Sequence, residues 1–391
     1  MSVQDRRRSR IGQCSFGCCL LLAIVAMTAS IAFAQESQNK TDNPERSGAT
    51  TTLRRETVKD QAEKDTRKFH TREGRLAAKP LDWNKTIGKP TPRTKMSEEE
   101  QERARKREPQ TAKGGSRDPA SKREAQKLHP DDWKRIGETS GGHTLGMRPD
   151  GEHAKLRLAA GSADVFTQYC ESCPSVNPDA PSAAIGKLFT NAGTCSASVI
   201  SGNNVIVTAA HCCYDRSVNN WIGGWSFSPA YDSGSAPFGT FDWSGATVLT
   251  SWIDNGDIPS DVCLINLEND SSGHGVAYYT GWLGRAWDFG ADQELHSLGY
   301  PANLGNTQTL QLCTAESFGS DSSCGGDDVL NMGCSMTFGS SGGPWIMSYR
   351  GGDWVDATVH GPSCSGTFGK TFNGPRFTSG NIASLCTAAG C

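Results

Sequence analysis

From about residue 183 onward, apolar residues come in short runs separated by Gly, Ser, Asn and Asp. Ile185–Phe189, Cys195–Ile200, Asn204–Thr208, Ala246–Thr250, Val262–Leu267, Leu295–Gly299, Thr307–Cys313 and Gly343–Met347 each have the length of a strand. Turn-forming residues stand between them. That punctuation predicts an all-β sandwich or barrel with little helix before the C-terminus. The region is long enough for two barrels.

The preceding pattern is different. Residues 35–157 are mostly polar, contain no cysteine, and hold Phe69, Trp83 and Trp133 as their aromatics. So little apolar surface cannot offset the entropy of ordering the chain, and the stretch is expected to be largely disordered, or ordered only locally. One helix is predicted there. Ser97 and Glu100 form a capping box, Glu98–Glu102 lie at its positive end, Arg103–Arg107 near its negative end, and Pro109 follows. It has no apolar stripe and reads as a solvated helix.

Residues 1–34 read as a secretory signal peptide. Arg6–Arg10 form a basic start, a mostly apolar run extends from about Cys18 to Ile31, and Ala32-Phe33-Ala34 is a small-residue cleavage site. The apolar run is shorter than the ~20 residues that span a bilayer. The organisation predicted is therefore a signal peptide at 1–34, a charged propeptide or linker at 35–157 and a folded domain at 158–391. The simplest reading of the leader is a propeptide; the alternative is a permanent linker or a basic tether to an acidic surface.

Charge sharpens this division. The 391 residues carry 39 Lys+Arg and 42 Asp+Glu, a net of -3, yet residues 35–160 are at +8 and residues 161–391 at -14. A folded region so acidic is a poor nucleic-acid binder, and a chain with one apolar run is not a polytopic membrane protein. Twelve of the 15 cysteines fall in 170–391 and the other three before residue 20. An even set behind a secretory leader reads as about six disulfides formed outside the cytosol, extracellular or periplasmic.

Three segments carry chemistry. His211 lies in Thr208-Ala209-Ala210-His211-Cys212, directly after an apolar run; a lone histidine at a strand end is usually structural. Ser341 lies in Gly339-Ser340-Ser341-Gly342-Gly343-Pro344, a loop whose small residues let backbone N–H groups turn toward a developing oxyanion. Asp261 opens Val262–Leu267, where a carboxylate at the mouth of a buried strand can hold an imidazole tautomer. Asp254 and Asp257 compete for that role.

In this order, the three segments resemble those of trypsin/chymotrypsin-like serine peptidases over roughly residues 183–391. Gly193-Thr194-Cys195-Ser196-Ala197-Ser198, Phe227–Tyr231, Leu298–Ala302 and Gly374–Gly380 are similar to the glutamyl endopeptidase-like branch. The resemblance implies two six-stranded antiparallel β-barrels with the site between them and a short C-terminal helix. It implies a secreted endopeptidase, expected as a monomer, acting on polypeptides with no metal or organic cofactor. Ser341 would be the nucleophile, His211 the base and Asp261 its orienting acid, with the N–H groups of Gly339 and Ser341 as oxyanion hole. It also implies a Cys195–Cys212 disulfide beside the histidine and a Cys334–Cys364 bridge closing the pocket loop.

Two departures qualify the resemblance. Ser340 stands where zymogens of the trypsin type carry Asp, so removal of an occluding leader replaces the usual amine-triggered activation, and the propeptide becomes an intramolecular inhibitor. Ser335 stands where Asp would select Arg or Lys. His360, joined by Ser363, matches the residue that meets a substrate glutamate, a contact suited to charge-assisted hydrogen bonds. Met336 and the acidic field of the domain oppose that acidic preference. The other class of function is an inactive binding protein on the same fold.

Overall fold

Strand Phe241–Leu249 closes the first barrel, because it pairs with Cys263–Leu267 on one side and Ser226–Pro229 on the other. Between these run Val205–Thr208, Thr194–Ser201 and Ile185–Phe189, every neighbour antiparallel. The structure is a computed structural model describing residues 48–58, 66–88, 102, 106–140, 161–173, 175–179, 181–320, 324–362 and 369–391. Val199, Ile206, Phe227, Val248 and Leu264 are wholly buried in this barrel, as expected of β-branched and aromatic residues on a closed sheet.

The second sheet has ten strands. Six of them come round on themselves. Thr371–Pro375, Val329–Gly333, Gln311–Gly319, Glu294–Gly299, Pro344–Met347 and Trp354–Thr358 pair in that order, and a single bridge from Ala357 to Arg376 joins the ends. Leu295, Leu330, Met332, Met336, Trp345 and Phe372 fill the interior. The chain ends on the predicted short helix, Ser384–Ala389. This is the chymotrypsin-like architecture.

The predicted strand at Thr307–Cys313 begins later, at Gln311, and runs to Gly319. Asn306 and Thr307 have positive φ, so the chain turns there before it can extend. The tryptophans serve the core: Trp225, Trp243, Trp252 and Trp345 are fully buried.

The leader's described pieces lie against the barrels. Thr50–Arg54 lies antiparallel along Phe241–Leu249, and Gln110–Ala112 along Gly284–Trp287. Each of its three aromatics rests on a phenylalanine of the barrels. Phe69 stacks on Phe189 with ring centroids 4.8 Å apart, Trp83 meets Phe338 at 5.3 Å, and Trp133 meets the edge of Phe238 at 5.6 Å. Residues Glu36–Cys391 accordingly group as one unit. The helix expected from Ser97 lies mostly outside the described residues; within it, the Lys106 N–H donates to the Glu102 carbonyl at 3.2 Å. The signal-peptide segment lies outside them too. Among the described residues no helix is long and apolar enough to cross a membrane.

Candidate active site

The strand Val205–Thr208 ends in a 3-10 turn, Ala210–Cys212, that carries His211. Two consecutive cysteines anchor this turn. Cys212 is bonded to Cys195 on the neighbouring strand, as the resemblance implied, and Cys213 to Cys263, two residues after Asp261. The second bridge ties the histidine turn directly to the strand that presents the acid.

Asp261 holds His211 twice. Its Oδ1 accepts the His211 backbone N–H at 2.8 Å, and its Oδ2 accepts from Nδ1 at 2.7 Å. Burial alone would raise the Asp261 pKa, but the charges and hydrogen bonds of two imidazoles outweigh it and hold the carboxyl well below the usual carboxylate range. Of the competitors, Asp257 accepts from the Ser260 hydroxyl at 2.9 Å, and the Asp254 carbonyl faces Arg216. With Nδ1 as donor, the other ring nitrogen is the basic one. His211 Nε2 is buried and has no hydrogen-bond partner.

The serine loop comes from the second barrel and is pressed against this turn. Gly342 has φ +77, and a side chain there would begin 2.0 Å from Thr208 Oγ1 and 2.6 Å from Ala209 N. Gly339 has φ +91 and lies against the Tyr300 carbonyl. Both positions therefore demand glycine. Three N–H groups of the loop are tied down: Ser340 to the Thr337, Gly342 to the Val359 and Gly343 to the Ser340 carbonyl.

Ser196, quoted above only as part of a motif, braces this loop from the first barrel. Its N–H donates to the Ser341 carbonyl at 2.8 Å and its hydroxyl to the Gly339 carbonyl at 2.9 Å, while it accepts from Tyr300 N at 2.9 Å. Its neighbours are all small or buried, so the sequence signal was the Gly-Thr-Cys-Ser stretch alone.

The pocket residues are placed differently from expectation. The Ser335 hydroxyl donates to Gln168 Oε1, on the strand Thr167–Cys170, and Met336 belongs to the barrel core. His360 turns toward the acid: its Nδ1 is 2.5 Å from Asp261 Oδ2. Ser363 and Cys364 lie outside the described residues. The expected Cys334–Cys364 bridge is corrected by the structure. Cys334 is bonded to Cys313, because the antiparallel strands Gln311–Gly319 and Val329–Gly333 bring those two cysteines to a Cα separation of 5.5 Å. Cys170–Cys173 and Cys386–Cys391 are further bridges.

His211, Asp261 and His360 offer ligand atoms within 4.8 Å of one another. The 2.5 and 2.7 Å contacts are hydrogen-bond lengths among the groups themselves, which makes this a proton-ordering network rather than an open ligand set.

A strap from the leader crosses the site. The Leu81 N–H donates to the Thr194 carbonyl at 2.9 Å and the Thr194 N–H to the Lys79 carbonyl at 2.8 Å. Pro80 stands against Gly339, and the Trp83 ring lies 3.7 Å from where a side chain on Gly361 would begin. The helical turn Trp83–Thr86, capped by Asp82, then packs on the turn bearing His211. Beyond it, the Thr86 carbonyl accepts from Arg216 N at 2.9 Å. Ser341 is only 2% exposed.

The family described as Trypsin matches residues 178–371. A crystal structure of the protease Anisep from Arthrobacter nicotinovorans is similar at 26% identity and a TM-score of 0.50, covering 57% of this chain and 100% of that one. The thermostable serine protease AL20 from an extremophilic microorganism shares 29% identity at a TM-score of 0.48, over 54% and 98% of the two chains. A Glu endopeptidase in complex with MPD shares 15% at 0.47, over 54% and 92%. No curated protein sequence matches the chain.

Proposed function

The chain belongs to the trypsin-like serine peptidases, and from that premise we propose that it is a secreted endopeptidase made as a precursor, with His211, Asp261 and Ser341 as its reacting residues. The observation that carries the reading is the double hold of Asp261 on His211, which leaves Nε2 buried and without a hydrogen-bond partner on a turn against which the serine loop packs.

The steps follow from that arrangement. Ser341 Oγ attacks the peptide carbonyl while His211 Nε2 takes its proton, and the imidazolium so formed gives the proton to the leaving amine. Asp261 keeps Nδ1–H as the donor and stabilises the imidazolium. The Gly339 and Ser341 N–H groups stabilise the oxyanion, at about 3 kcal/mol for a donor of this kind. Water then repeats the sequence on the acyl-enzyme.

Disulfides on both barrels suit an oxidising compartment, which supports secretion. The strap at Lys79–Thr86 supports restraint of the precursor by its own leader, since a substrate must pass where Pro80 and Trp83 lie. An acidic residue at P1 is the finer part of the proposal. It rests on His360 Nε2, the ring atom that does not meet Asp261, and a flat or Phe/Leu-preferring peptide-library profile would remove it.

The decisive experiment is labelling with a serine-directed phosphonate after leader removal, comparing wild type with Ser341→Ala. Wild type labels and the variant does not. Absence of labelling in both would favour an inactive binding protein on the same fold.

A further inference from the structure

Asp261 Oδ2 accepts from two imidazoles, not one. His211 Nδ1 is at 2.7 Å and His360 Nδ1 at 2.5 Å, while Oδ1 takes the His211 backbone N–H. The carboxylate is fully buried and His360 nearly so. The two rings stand edge to face, 5.7 Å apart between centroids, and Trp252 walls both at 6.5 and 6.4 Å.

The two donors come from different barrels. His211 and Asp261 belong to the first, whereas His360 follows the strand Trp354–Thr358 of the second, with its own N–H on the Asn373 carbonyl at 2.9 Å. Ser341 also belongs to the second. The His360–Asp261 contact is thus a charge-assisted hydrogen bond across the seam that separates nucleophile from base.

We propose that His360 is a positioning residue of the peptidase reaction, locking the Asp261 carboxylate to the barrel that carries Ser341. This rests on the peptidase reading above. Held by His211 alone, the carboxylate could follow every movement of the first barrel relative to the second. The third bond fixes its plane from the opposite side. A small misplacement of a base relative to its nucleophile costs rate steeply, so the effect is expected in kcat. Both bonds to Oδ2 require Nδ1–H, so the same contact fixes the orientation of the His360 ring and turns its Nε2 away from the carboxylate.

The test uses leader-free enzyme with His360→Leu and His360→Asn. Asn keeps an N–H donor near the position of Nδ1; Leu fills the space without one. His360→Leu should lower kcat about tenfold to thirtyfold with KM within about twofold, the scale of one lost hydrogen bond to a charged group, and His360→Asn should recover most of that loss. Active-site titration and thermal unfolding establish that both variants are folded and counted per working site. Equal losses in the two variants, an unchanged kcat in His360→Leu, or a change confined to KM for peptides with acidic P1 would each overturn the proposal. Wild type that fails to take the phosphonate would overturn the peptidase reading and this inference with it; wild type that labels normally separates the two failures.

Discussion

Trp83 of the leader packs against Phe338, three residues before Ser341, with ring centroids 5.3 Å apart and planes inclined by 30°. On its other side the indole meets Gly361, the residue after His360. One leader side chain therefore bridges the segment that leads into Ser341 and the segment that follows His360. Beside it, Pro80 pairs with Thr194 in the manner of a short added strand, through the Leu81 N–H and the Lys79 carbonyl.

Removing that indole should loosen the strap. Trp83 is half-buried, so Trp83→Ala forfeits part of a full aromatic burial, about 2 kcal/mol. The open population of the full-length precursor should rise by roughly tenfold or more, since 1.4 kcal/mol is a factor of ten. The phosphonate labelling rate of the uncleaved chain reads this directly. An unchanged rate would show that Trp83 does not gate Ser341.

The basic leader is also held by acids of the domain. His70 Nε2 is 2.9 Å from Asp242 Oδ1, Arg55 reaches both Asp242 and Glu268, and Asp179 is paired with Arg117 and Lys122. Burial pushes the Asp242 and Asp179 carboxyls up. The hydrogen bonds and charges of His70 and Arg55 on one, and of Lys122 and Arg117 on the other, bring both below their ordinary value. A carboxyl lowered in the bound state contributes fully above the free value of about 3.9 and loses its contribution as the pH falls through the lower one. The leader of a nicked precursor should therefore stay bound at pH 5 and separate below about pH 4, and salt should weaken it moderately because the pairs are partly exposed. Gel filtration at pH 5 and pH 3, with circular dichroism to establish folding, checks this; retention at pH 3 by a folded chain would refute it.

Lys187 gives a pH dependence of the same sign in an alkaline window. It is wholly buried on the strand Ile185–Phe189, between Phe189 and Tyr231, and donates to the Thr307 carbonyl at 2.9 Å and hydroxyl at 3.1 Å. Burial lowers its pKa to about 7. Below pH 7 both folded and unfolded chains carry the proton, and the cost of burying the charge is fully present. Between about 7 and 10.5 the unfolded chain binds more protons than the folded one, so stability rises with pH. The gain from pH 7 to 9.5 is up to about 3 kcal/mol. Denaturant unfolding of Ser341→Ala, which removes autolysis, should show this slope, and adding Lys187→Met should abolish it. The same slope with Met in place would assign it to other groups.

What could be read without coordinates follows a physical line. Regular strands were legible where apolar runs are bounded by turn residues: Ile185–Phe189 is found with the predicted ends. Trp354–Thr358 and Thr371–Pro375 were not, because Asp356, Asn373 and Gly374 break the apolar pattern and are accommodated only by long-range partners. His211 and Ser341 stood out because their loops require small residues and glycine at fixed offsets. The second role of Asp261 did not. Nothing local to His360 shows that its ring turns back to a carboxylate ninety-nine residues earlier. The leader's few aromatics signalled the absence of a core; only the fold shows that each found a phenylalanine on the barrels.

The double hold on His211 makes a sharp prediction for Asp261→Asn. An amide in that place presents one oxygen and one NH2 to a backbone N–H and two ring nitrogens that now all donate. If the amide oxygen keeps the backbone bond, its NH2 faces both Nδ1 atoms, and His211 must flip to the tautomer that protonates Nε2. That places a proton where the serine's proton has to go. kcat should fall on the order of 10⁴-fold while KM changes little, because the substrate contacts are untouched. The buried charge is removed together with its acceptor, so His360 loses its partner as well; its N–H then has to find water or stay unpaired, at a cost of about 1–3 kcal/mol in stability. Single-turnover acylation with an activated ester, measured beside thermal unfolding, separates the two effects. A variant that acylates within tenfold of wild type would show that the tautomer of His211 is set by something other than Asp261.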